Sequence, residues 1–115
     1  MKLEIKENIV IPDGLHEGII IAVEYRTSPY EYTDIVIEKV IGDKSIKIKA
    51  GYPTFICTTS KLGKLLTKFG ASLVAGQEID PDKLLIGKKC SFITITDVSE
   101  RGKFANVIPK SVKPI

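Results

Sequence analysis

The chain has no tryptophan, one histidine, two cysteines, one methionine and two arginines among its 115 residues. With His16 as the only imidazole, neither a histidine-based metal site nor a nucleophile–histidine pair can be assembled. Cys57 and Cys90 are too few and too far apart for a zinc module; both lie in strand-like runs, where two buried free thiols are the plain reading and a disulfide the alternative. The longest apolar run, residues 18–23, falls far short of the ~20 residues needed to span a bilayer, so no membrane partner is expected. The first seven residues carry Glu4 and Glu7 and no apolar block, which is unlike a secretory leader and makes a cytoplasmic location the default expectation. No strand–GxxxxGK[ST]–helix phosphate loop exists, because Gly63-Lys64 falls inside a helical pattern. The fourteen acids are scattered, mainly at turns and element ends. The chain is therefore read as a non-enzyme with no metal and no cofactor.

What is present is a single-domain composition: 43% hydrophobic, 27% charged, net charge +3 and pI near 8.8. A charge this small permits nucleic-acid binding without arguing for it. Lysine outnumbers arginine fifteen to two and there are eighteen isoleucines, a bias compatible with an A/T-rich genome or a hot habitat and silent about function.

Hydrophobic periodicity divides the chain into strands and one helix. Residues 1–14 read as a lead-in or short edge strand closed by Pro12-Asp13-Gly14, and residues 15–115 as one domain. The first strand spans 15–26, with Leu15, Ile19, Ile21, Val23 and Tyr25 on one parity and Gly18 marking a bulge or bend. A polar loop with Pro29 leads to strands over 34–41 and 45–50, the latter alternating with Ile46, Ile48 and Ala50 inward and Lys47 and Lys49 outward. Residues 59–70 form the helix: Leu62, Leu65, Leu66 and Phe69 share one face, Thr59 or Ser60 caps its start, and Gly70 ends it. Residues 80–87 read as one turn before a fourth strand over 88–98, whose parity is ambiguous because both sides carry apolar groups. A hairpin turn at 99–102 precedes a last strand over 103–112. Three strands, one helix and two strands is the element order of an OB-fold. The expected fold is all-β with one helix, a five-stranded OB barrel with the helix between strands three and four plugging its bottom.

Several segments resemble OB-fold single-stranded DNA-binding or replication-accessory proteins of phages and archaeal viruses. They are Leu15-His16-Glu17-Gly18-Ile19-Ile20, Ser60-Lys61-Leu62-Gly63-Lys64-Leu65-Leu66 with Phe69-Gly70, Leu85-Ile86-Gly87-Lys88-Lys89-Cys90, and Gly102-Lys103-Phe104-Ala105-Asn106-Val107 with Ile108-Pro109. Together they cover most of residues 15–109. The resemblance implies an OB-fold that binds single-stranded DNA in the replication or recombination of a virus or plasmid. RNA as the ligand, and a second copy of the chain or a replication protein as partner, stand beside it.

A single-strand binder needs cations along the phosphates and flat side chains under the bases. The loop between the first two strands offers Arg26, Tyr30 and Tyr32, although the tyrosines could instead cover a barrel end. The third strand offers Lys47 and Lys49 on one face, which could equally be solvated edge charges, and Tyr52 where it ends. Phe55, just beyond, is read as core. The last hairpin offers Arg101 and Lys103 beside Phe104. Helix lysines 61, 64 and 68 are read as a solvent face. Sequence-tolerant single-stranded DNA binding through the loops at 26–33 and 99–103 is the leading expectation. A protein-interaction or dimerisation module of the same fold, without nucleic acid, is the alternative.

Overall fold

Alternating β-branched residues, interrupted by Gly42-Asp43 and by the loop at 27–31, dictate an extended chain that folds back on itself. The computed structural model describes residues 12–99 and 102–115. The described chain is mostly β: β1 (Gly14–Arg26), β2 (Tyr32–Ile41), β3 (Lys44–Pro53), β4 (Lys89–Ser99), β5 (Gly102–Val107) and a short β6 (Lys113–Pro114). Two helices, α1 (Lys61–Lys68) and α2 (Pro81–Leu85), separate β3 from β4. All pairings are antiparallel, in the order β3-β2-β1-β4-β5, with β6 added to the start of β4. The strands at the two ends of that order, β3 and β5, approach within 8 Å at their Cα atoms.

β1 is the organising strand. Residues 14–19 pair with β4 and residues 19–26 pair with β2, with a register shift between Ile20 and Ala22. This bulge changes which residues face the core. Before it Ile20 points in and Leu15 and Ile19 are exposed; after it Val23 packs on the core while Tyr25 is exposed. The expectation that Leu15, Ile19, Ile21, Val23 and Tyr25 continue on one face therefore fails between Ile19 and Val23, because an inserted residue shifts a period-2 pattern by one. Gly18 is not the bulge. A Cβ there would lie 2.6 Å from Ile37 Cγ2 and 2.7 Å from the Glu38 carbonyl oxygen, so β2 crosses too closely for any side chain.

The core joins the inner face of the sheet (Ile20, Ile35, Ile37, Phe92) to Leu62, Leu65 and Leu66 of α1 and Leu85 of α2. The helix is shorter than the expected 59–70. Ser60 is its N-cap, with its hydroxyl accepting from Gly63 N–H, and Gly70 takes a positive φ of 101° just past its end. The single turn expected at 80–87 is a second helix: Asp80 accepts from the backbone N–H groups of Asp82 and Lys83, and Pro81 sits where a missing N–H costs nothing. The last strand ends at Val107, not 112, since Pro109 has no N–H for a ladder and opens a 3₁₀ turn, Pro109–Ser111. In β4 the ambiguity resolves: Cys90, Phe92 and Thr94 point inward, Ile93 and Ile95 are exposed, and Ser91 is buried where β6 pairs. No helix among the described residues is long and apolar enough to cross a membrane.

Candidate nucleic-acid interface

Register decides which of the expected binding residues meet. Directly opposed residues of an antiparallel pair lie on the same face. Arg26 pairs with Tyr32, Glu24 with Asp34, Asp34 with Gly51, and Glu38 with Lys47. Lys49 stands opposite Val36, between the latter two pairs. Arg26, Tyr32, Lys47 and Lys49 therefore share the outer face of β1–β2–β3, the side away from α1.

On this face Arg26 is committed to Asp34. Its Nε lies 2.6 Å from Oδ2, and its Nη2 donates to Oδ1 at 3.1 Å. The guanidinium also sits over the Tyr32 ring, with Cζ 5.1 Å from the centroid. Lys49 Nζ lies 3.1 Å from Glu24 Oε2, an exposed pair of the kind that contributes little to stability. Three cations thus stand among three carboxylates, Glu24, Asp34 and Glu38. Reasoning from lysine and arginine alone missed this balance. Part of the signal was available: with β2 and β3 aligned across the turn at Gly42-Asp43, Glu38 falls opposite Lys47.

Tyr30 is 73% exposed in the loop before β2, as a stacking residue would be. Tyr52 is not available for stacking. It is 1% exposed, facing the core in phase with Ala50, and its hydroxyl donates to the Pro109 carbonyl at 2.7 Å. Phe55 is also corrected, from core to 66% exposed, because the chain has already left β3 and the strand's alternation no longer applies. Arg101, and the side chains of Lys103 and Phe104, lie outside the described residues. Tyr25, exposed at the end of β1, donates to Asp82 Oδ1 at 3.2 Å. Partial burial and the nearby Asp82 carboxylate raise its phenol's pKa.

A second feature lies away from this face. An open groove of about 630 Å³ runs between residues 56–58 and 72–79, lined largely by apolar side chains such as Ile56, Leu73 and Val74, with Cys57 on its wall. Both cysteines are free. Hydrogen bonding from Thr59 holds the half-exposed Cys57 thiol below its usual pKa, while burial pushes Cys90 up to about 11. A thiol reagent at pH 8 is therefore expected to modify one cysteine per native chain, Cys57, and the second only after unfolding in guanidinium. Prompt reaction of both would place Cys90 at the surface. Cys90 also affects alkaline stability. Its folded pKa is raised above the unfolded 9.0, so its contribution is present below about pH 9 and is lost as pH rises toward 11.

Among the described residues no group of three or more histidine, cysteine or acidic side chains could hold a metal ion. A scan against protein-family models finds no match to the chain, and a search of curated proteins finds none either.

Proposed function

We propose that the protein is a non-catalytic binding module for single-stranded nucleic acid, DNA in the first instance, acting through the outer face of β1–β2–β3. The observation that carries this reading is the register that gathers Arg26, Tyr32, Lys47 and Lys49 on one face, with exposed Tyr30 in the loop leading into β2. Flat rings beside cations are the two ingredients of a sequence-tolerant single-strand site. The fold proposed with it is an OB barrel. The strand order β3-β2-β1-β4-β5, the approach of β3 to β5 and a helix between β3 and β4 support that closure. The resemblance to phage and archaeal-virus proteins supports a role in replication or recombination of a virus or plasmid.

Titration of a fluorescent oligothymidine at several salt concentrations tests the reading. Carboxylates neutralise much of the face, so few phosphates can be engaged. Two or three predict a log–log salt slope of roughly −1.4 to −2.1 for a single strand. Absence of binding at low salt would remove the reading. The alternative, a protein-interaction or self-association module, is favoured by the internal pairing of Arg26 and Lys49 and by the apolar groove at residues 56–58 and 72–79. Self-association in sedimentation without oligonucleotide binding selects it.

A further inference from the structure

We propose that Arg26 and Tyr32 form one flat platform for an unpaired base, and that Asp34 and Gly51 are the residues that position it. This rests on the nucleic-acid reading above and gives the face its ligand chemistry, the base of a single strand and not its phosphate. A guanidinium recognises phosphate with its fork of N–H donors and recognises a ring with its plane. In Arg26 one edge of the fork is occupied: Nε and Nη2 both engage Asp34, whose side chain is only 7% exposed. The Arg26 side chain is 46% exposed, and beside its remaining N–H donors it offers solvent a guanidinium whose Cζ already lies over the Tyr32 ring. Asp34 therefore orients the guanidinium and cancels its charge.

Gly51 completes the arrangement. It stands opposite Asp34 on β3, and a Cβ there would lie 3.1 Å from Asp34 Oδ1 and 3.3 Å from Tyr32 Cδ2. Any side chain would push against both members that hold the guanidinium in place. A carboxylate, a ring and a glycine from two adjacent strands thus gather around the Arg26 guanidinium, an arrangement suited to a base stacking on arginine backed by an aromatic.

The test compares the full chain's affinity for oligothymidine with its affinity for an abasic oligomer of equal length. The wild type is expected to prefer the base-bearing strand by about tenfold, within the range of one stacked base. Asp34→Asn makes the face more positive, so a site built for phosphate would bind both oligomers more tightly. The platform predicts the opposite split: oligothymidine binding falls about fivefold while abasic binding holds or rises, as expected for partial loss of one stack. Arg26→Lys keeps the charge and removes the plane, and should likewise bring the preference close to one. It carries the test if Asp34→Asn disturbs folding, which circular dichroism would reveal. A base preference unchanged in a folded variant of either kind, or absent in the wild type, overturns the platform. Wild-type binding to neither oligomer overturns the nucleic-acid reading itself, and the platform with it.

Discussion

Gly63→Ala is expected to destabilise the protein by about 3–5 kcal/mol, although alanine is the better helix former. Propensity alone would favour the substitution by ~1 kcal/mol at an exposed helical position. Gly63 is not exposed. A Cβ at that position would lie 1.8 Å from the Cys57 carbonyl oxygen, 2.9 Å from its carbon and 2.8 Å from Ser60 Oγ. The obstruction is backbone, so no rotamer change relieves it. Moving the 57–60 turn aside would also break the bonds of the Ser60 hydroxyl, which accepts from Cys57 N–H at 3.0 Å and Gly63 N–H at 2.9 Å and donates to the Cys57 carbonyl at 3.1 Å. Steric displacement plus loss of the cap outweighs the propensity gain. Thermal unfolding should show a midpoint lowered by roughly 10 °C or more, given the ~4 °C per kcal/mol typical of domains this size. A midpoint equal to or above the wild type would mean that the Cys57 carbonyl is not packed against the helix start.

Phe92→Ala is expected to lose about 3–5 kcal/mol, comparable with Gly63→Ala, through an unfilled cavity. Phe92 is fully buried on the inner side of β4, paired with His16 across the ladder, their rings 5.8 Å apart. The His16 ring has little freedom to follow, because its Nε2–H donates to the Pro12 carbonyl at 2.6 Å. Gly18 lies beside Phe92, and adding a methyl there has the look of a repair. It is not one: the Glu38 carbonyl oxygen, 2.7 Å from the would-be Cβ, remains whether or not Phe92 is present. Urea unfolding should therefore give Phe92→Ala a reduced midpoint, and the Gly18→Ala/Phe92→Ala double variant one no higher. Recovery in the double variant would show that β2 can retreat from β1.

Much of the architecture could be read directly from the residues, because each feature rests on local chemistry. The cap at Ser60, the leucine face of α1 and the left-handed Gly70 all follow from the 59–70 segment itself. The alternation of β3 holds because Ile46, Ile48 and Ala50 never break phase. The expectations fail where the end of β3 is misplaced and where the partner strand decides. Tyr52 continues the inward phase of Ala50, yet its position beside Pro53 resembled a loop. Phe55 is hydrophobic, but it lies past the end of β3 and is exposed. The candidate site divides in the same way. Its cations and rings were visible as residue types, but that Asp34 holds Arg26 depends on β1 and β2 being neighbours in register. Gly51 carried no signal at all until Asp34 and Tyr32 were seen beside it.

The β1 bulge bears on how this chain should be aligned with any relative. Ile20 pairs with Ile37 and Ala22 with Val36, which leaves Ile21 as the extra residue. A relative lacking Ile21 would keep every later side chain of β1 on its present side, Arg26 included, and would lose only the bend. A relative that kept the strand's length but straightened it would turn Arg26 inward. An ungapped alignment through this strand would therefore match core positions of one protein to surface positions of the other, and the single-residue gap belongs at Ile21.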